Sequence, residues 1–215
     1  MSVMQSQGLR QLLRSTLALA LLLSGCSSMS QNECLTVDWR TVGYEDGVDG
    51  YQGDRIAQHR KACAKYGVST DLALYQQGRE QGLREYCRPA NGYRVGLQGS
   101  SYTGVCPASL EPGFVAAFDS GHHLYVLQSR VSNTDAQIEY KRRELNQIEH
   151  GLTANAVEVA SSDSTPQDRA DALVDTAQRA ERIGRLKAEI RQLDADRVRY
   201  VRDLETYRAT EAPIT

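Results

Sequence analysis

The sequence predicts a mainly α-helical protein in which a small disulfide-stapled head is followed by a long antiparallel coiled-coil helical hairpin. Three observations predict it. Apolar residues recur every seven positions through the second half of the chain. Glycine, tyrosine and four cysteines crowd the first half, with good helix formers over 55–65 and 72–86. Composition then changes near residue 121, beyond which only Gly151 and Gly184 remain of the glycines.

The N-terminal segment carries no acidic side chain up to residue 25, and Arg10 and Arg14 give it a positive start. The apolar run Leu17 to Leu23 is shorter than the roughly 20 residues needed to span a bilayer, but it suits the hydrophobic region of an export signal. It ends in Leu23-Ser24-Gly25-Cys26. Small residues before the cut let the chain lie extended in a peptidase groove, and the thiol accepts an acyl group. The four residues resemble the bacterial lipobox, L-[AS]-[GA]-C. That resemblance implies a signal peptide over 1–25, lipidation at Cys26, and a lipid-anchored chain. Residue 27 is serine; for lipoproteins of this class, the absence of aspartate there implies sorting to the outer membrane, with the body facing the periplasm.

Without Arg10 and Arg14 the mature chain would keep 23 of the 25 basic residues against 27 acidic ones, a net charge near −4. That balance argues against nucleic acid, which is held mainly by Lys and Arg on phosphates, and against a broad polybasic membrane patch.

A linker over 26–37 would lead into the head, 38–121. Asp38 is placed to cap a first helix reaching about Gly50, and Asp54 a second that ends with Gly67 as its C′ glycine. Thr70 or Asp71 would cap a third helix through Cys87, closed by Pro89. Residues 92–105 fit a short helix or a loop, and Pro112 would open a long helix in its first turn. An aromatic followed by two small positions recurs: Trp39 with Gly43 and Gly47, Tyr75 with Gly78 and Gly82, Tyr93 with Gly96 and Gly99. Glycines four apart share one face of a helix, where a second backbone can come close. A glycine-rich turn array is the alternative.

With Cys26 assigned to lipid, Cys34, Cys63, Cys87 and Cys106 form an even set without C-x-x-C, which in an oxidising compartment implies two disulfides rather than zinc or redox chemistry. An antiparallel hairpin of the first two helices would bring Cys63 beside Cys34. Cys63 and Cys87, near the C-terminal ends of successive helices, would lie roughly 20 Å apart at ~1.5 Å per residue. Of the three possible pairings this layout favours Cys34–Cys63 and Cys87–Cys106.

The stalk, 122–208, has Leu124, Val131, Ile138, Leu145 and Leu152 on one seam, with Leu127 and Ile148 on the other and Thr134 and Lys141 as polar interruptions. A second series follows a Ser/Thr-rich stretch ending at Pro166. It places Ile183, Ile190 and Leu204 on one seam, with Arg197 between, and Leu186, Leu193, Tyr200 and Tyr207 on the other. Heptads with charged flanks form coiled coils. Seams of matched length joined by one loop fit an antiparallel hairpin within the chain; a dimer through the same seams is the rival. Residues 209–215 are expected to be a flexible tail.

No catalytic constellation emerges. His122 and His123 are adjacent and would point about 100° apart on a helix; His59 and Cys63 share a face but fit a surface histidine and a disulfide. The Asp46 to Asp54 stretch lacks the EF-hand spacing and its closing glutamate, and there is no G-x-S-x-G. No metal or other cofactor is expected. The aromatics Trp39, Tyr44, Tyr75 and Tyr93 are candidates for stacking on a ligand such as a glycan, although tyrosine also fills small cores with one wet edge.

Asp38-Trp39 with Gly43 and Asp46-Gly47, then Cys63, Tyr75-x-x-Gly78-x-x-x-Gly82-Leu83 leading to Tyr86-Cys87, Gly92-Tyr93-x-x-Gly96, and Tyr102-x-Gly104-Val105-Cys106-Pro107 together resemble the small bacterial lipoproteins of domain of unknown function 2799. The resemblance implies an envelope address and a cysteine pattern; it brings no activity, cofactor or catalytic residue. The expectation is a non-enzymatic outer-membrane lipoprotein that contacts an envelope protein or peptidoglycan. The alternative is a glycan- or lipid-acting enzyme that uses an acidic residue of the head, Asp46 or Asp49, with a raised pKa.

Overall fold

The computed structural model describes residues 29–159 and 165–210. The expected export signal, the expected lipidation site Cys26, and residues 160–164 and 211–215 lie outside that range. Among the described residues all the regular elements are α-helices: α1 (Gln31–Thr36), α2 (Trp39–Val48), α3 (Arg55–Ala64), α4 (Leu72–Tyr86), α5 (Pro89–Leu97), α6 (Glu111–Val159) and α7 (Pro166–Thr210). They divide into two compact units. The first holds the described residues up to Tyr86 together with Thr103–Pro107, and the second holds Cys87–Tyr102 and the described residues from Ala108 onward.

In the first unit each start has a local cause. Ser30 and Glu33 form a reciprocal capping box on α1, so the segment expected to be a linker contains a helix, and Cys34 within it is buried. Asp38 accepts the Arg40 N–H at 3.0 Å and the Thr41 hydroxyl at 2.7 Å to start α2. Asp54 occupies the N-cap of α3 without a side-chain bond. Asp71 caps α4 through the Leu74 N–H at 3.0 Å.

The helices α2 and α4 are zipped together through glycine. A Cβ on Gly43 would lie 2.0 Å from the Tyr75 carbonyl oxygen, and one on Gly47 would lie 2.4 Å from that of Arg79. In return, a Cβ on Gly78 would meet the Arg40 carbonyl oxygen at 1.9 Å, and one on Gly82 that of Tyr44 at 2.1 Å. The contacts rise together along both helices, so the two run parallel. The crossover between them carries α3, which returns antiparallel to α2 and brings Cys63 to Cys34. The structure bonds these two cysteines, with Cα atoms 5.4 Å apart; Cys87 and Cys106 are disulfide-bonded as well.

The second unit repeats this device. A Cβ on Gly92 of α5 would lie 2.4 Å from the Phe114 carbonyl oxygen, one on Gly96 2.1 Å from that of Phe118, and one on Gly121 of α6 2.1 Å from that of Tyr93. The correspondence runs residue by residue. Gly43, Gly47 and Gly50 fall at Gly92, Gly96 and Gly99; Tyr75, Arg79, Gly82 and Tyr86 fall at Phe114, Phe118, Gly121 and Tyr125. Gly50 and Gly99 close their helices with φ of +71° and +70°, each in a Schellman arrangement in which the next N–H reaches back five residues. Each also lies under a ring, Tyr86 or Tyr125, at 2.3 Å from where a Cβ would stand. The repeating unit is therefore a parallel helix pair rather than the single aromatic–glycine helix that sequence spacing suggested.

The helix α6 runs unbroken from its zipper turns into the stalk, because no glycine–proline break follows Gly121; the expected boundary at 121/122 falls inside it. Leu124, Leu127 and Leu204 form a buried cluster with Tyr93, Leu97, Val131 and Tyr207 packed on it, so α5, α6 and α7 share one core. Further along, Ile138 and Leu186 are buried in the seam, and Thr134 satisfies its hydroxyl on the Arg130 carbonyl at 2.7 Å. The seam closes within one chain. Both seam cations find carboxylates across it, Lys141 on Glu189 and Arg197 on Asp135 at 2.5 Å, alongside Glu144–Arg182 at 2.5 Å and Glu149–Lys187 at 2.9 Å. Such exposed pairs contribute about 0–1 kcal/mol each; their use is to set the antiparallel register. The α7 helix extends through Thr210, into the expected tail.

The packing separates the glycines by role. Gly78→Ala drives a methyl into a backbone carbonyl and should destabilise the chain by about 1–3 kcal/mol or more. Gly184 has nothing within 4 Å of its would-be Cβ, so Gly184→Ala should stabilise by up to about 1 kcal/mol. Urea unfolding followed by circular dichroism reads both, and equal effects of the two substitutions would contradict the zipper.

Candidate functional site

The one buried carboxylate among the core residues sits where α2, α3 and α4 meet. Asp46 precedes Gly47 on α2, so the close approach to α4 carries its side chain into the interior, where it is 6 % exposed. One of its oxygens accepts from the Tyr75 hydroxyl at 2.7 Å and pairs with His59 Nε2 at 2.8 Å. The Arg55 Nε lies 4.0 Å from the other. Arg55 and His59 are four apart on α3 and therefore share one face. Burial pushes the Asp46 carboxyl up, but the hydrogen bonds from His59 and Tyr75 and the charges of His59 and Arg55 outweigh it, and the group is held below the ordinary carboxylate range. Burial and the bond to Asp46 push the Tyr75 hydroxyl well above its ordinary value, so it remains a donor. Around this cluster Arg55 stacks over the Tyr51 ring at 4.5 Å, and Arg79 donates to the Tyr51 carbonyl at 2.7 Å.

The second helix pair shows what the cluster is for. At the positions of Asp46 and Tyr75 it has Val95 and Phe114, both buried. The same zipper therefore packs with an apolar pair, and the carboxylate is not a requirement of the helix contact. Copy one differs in having α3 in its crossover, and two of the three groups that face Asp46, His59 and Arg55, belong to α3. Asp46 is the clamp that holds α3 at one end, and the Cys34–Cys63 disulfide holds it at the other.

The alternative reading places acid–base chemistry at Asp46. That reading expects a raised pKa, and the shift runs the other way. The oxygen that takes Tyr75 and His59 is engaged by the chain's own side chains. Asp49 is exposed at the C-cap of α2. Among the described residues no three or more His, Cys, Asp or Glu gather as a metal site.

The four aromatic candidates do not form one platform. Trp39 and Tyr75 are buried with the Cys34–Cys63 disulfide in a single cluster and have no free face for stacking. Tyr93 packs on the Leu124 cluster of the second unit. Tyr44 is exposed. Their spacing reflects the helix contacts: the motif Gly-Tyr-x-x-Gly-x-x-Gly occurs at Gly43 and again at Gly92. That doubled motif was the signal that could have revealed the repeat. His59 and Arg55 gave no comparable sign beyond their i, i+4 spacing.

Residues 38–123 match the family model described as protein of unknown function, DUF2799. The chain carries a DUF2799 domain. The domain runs from the N-cap of α2 to two residues past Gly121, and so spans both zipped pairs while leaving out most of the stalk. No curated protein and no solved structure matches the chain.

The depressed Asp46 pKa has a consequence with a definite sign. Its stabilisation is fully present above the unfolded value near 3.8 and is lost as pH falls through the lower folded value. The urea midpoint should therefore drop between about pH 5 and pH 2, and Asp46→Asn should flatten that part of the profile. A variant that keeps the full wild-type slope would show that Asp46 is not the group responsible.

Proposed function

We propose that the protein is a non-enzymatic lipoprotein, anchored through Cys26 in the outer membrane with its body in the periplasm, and that it contacts an envelope protein or peptidoglycan through its helical surfaces. The observation that carries this reading is Leu23-Ser24-Gly25-Cys26 directly after a short apolar run with a basic start. The four other cysteines support it, since all of them are in disulfides, as an oxidising compartment favours. No helix among the described residues is long and apolar enough to cross a membrane, and the lipid on Cys26 would supply the attachment. An acyl-modified N-terminus with two or more chains holds a protein essentially permanently.

The α6–α7 hairpin offers the contact surface under this reading. Tyr140 and Val198 stand exposed on it, and Asp135, Glu139, Arg142, Asp194 and Arg197 line a groove between the helices around Ile138. A groove of mixed charge suits a protein surface better than a polyanion.

Mass spectrometry of the protein purified from membranes tests the anchor. The mature chain should begin at Cys26 and carry a diacylglyceryl group and an N-acyl chain, and Cys26→Ala should leave an unprocessed or water-soluble product. A wild-type chain that retains its first 25 residues, or one with an unmodified Cys26, would remove the proposal.

A further inference from the structure

We infer that the N-terminal end of the α2–α4 pair, topped by α1, is a lipid-contacting face on which Leu35 and Leu72 touch the bilayer surface. The inference rests on lipidation at Cys26. Ser30, the N-cap of α1, is four positions after Cys26, so the lipidated residue lies within about 14 Å of Ser30 even with the chain fully extended. The α1 helix cannot swing away from the first unit, because the Cys34–Cys63 disulfide fastens it to α3. Met29, Val37 and Val68 pack on the Cys34, Trp39, Cys63 and Tyr75 cluster. Trp39 opens α2, and Tyr75 lies one turn into α4. The anchor is thus tied to the start of both parallel helices rather than to their far end.

That end carries apolar side chains with no cover. Leu35 on α1 is 60 % exposed and Leu72, the first residue of α4, is 52 % exposed, with Leu74 beside it also exposed. The carboxylates at the same end are engaged as helix caps: Glu33 on the Ser30 N–H, Asp38 on Arg40 and Thr41, Asp71 on Leu74. They are neutralised in part by backbone N–H groups. Lys65 lies over the Tyr66 ring at 4.8 Å, a cation–aromatic pair suited to the headgroup layer. Val48 marks the opposite end, nine residues further along α2 and so about 14 Å higher on the helix axis.

The test uses the full-length, lipidated chain with p-benzoylphenylalanine in place of Leu35, Leu72 or Val48. The probe is vesicles of phosphatidylethanolamine and phosphatidylglycerol. Each protein is floated with the vesicles, irradiated, and assayed for covalently attached phospholipid. Adducts at positions 35 and 72, several-fold above position 48 and absent from the Cys26→Ala forms, are expected. A protein that floats but forms adducts equally at all three positions, or only at 48, overturns the orientation and leaves the anchor intact. A protein that does not float overturns the anchor and this inference with it.

Discussion

Helix pairs usually meet through side chains that hold their axes 8–10 Å apart. In this protein two pairs meet through backbone instead. Gly43, Gly47, Gly78 and Gly82 leave no atom between α2 and α4, so carbonyl oxygens of one helix lie where the Cβ atoms of the other would stand. Each glycine carries a cost of about 1 kcal/mol against alanine in a helix interior. That cost is offset by dispersion between closely packed backbones and by weak Cα–H···O contacts. The two helices run parallel at this contact, so a crossover must join them. In the first copy that crossover is long enough to hold α3 and a disulfide. In the second copy the partner helix, once released from the zipper, continues into the stalk.

The comparison of the two copies separates what the contact requires from what has been added to it. Both have the positive-φ glycine under a tyrosine ring. Only the first has Asp46 and Tyr75, where the second has Val95 and Phe114. A buried carboxylate in a unit this small is costly unless it is hydrogen-bonded and paired with charge; Tyr75 and His59 supply the hydrogen bonds, and Arg55 supplies a cation 4.0 Å away. The polar cluster exists because α3 exists. It holds α3 against α2 and α4 from one end while Cys34–Cys63 holds the other, and α1 is fixed in turn through that disulfide.

The helical class was legible because heptads and capping residues act locally. Leu124, Ile138 and Leu204 carry the stalk pattern, and Asp38, Asp71 and Gly67 mark helix ends through side-chain chemistry or backbone conformation that any reader of the chain can recognise. The parallel pairing was not legible, because a glycine face says that a backbone comes close without saying which backbone or in which direction. Trp39 and Tyr75 looked like binding aromatics for a related reason: an aromatic one turn before a glycine covers the edge of a helix contact, and the same spacing would serve a ligand. Asp46 drew notice as a candidate acid or base. Its partners His59 and Arg55 come from a separate helix, and only the fold brings them together.

The fold depends on backbone proximity at the zipper, and solution NMR reads that distance directly. In protein labelled at glycine, the α protons of Gly47 and Gly82 should show a strong nuclear Overhauser effect across the α2–α4 contact, since the would-be Cβ of either glycine falls within 3.0 Å of the other's Cα. Absence of that cross-peak in folded protein, with the amide resonances of both helices assigned and protected from exchange, would contradict the packing from which the rest of the structure is derived.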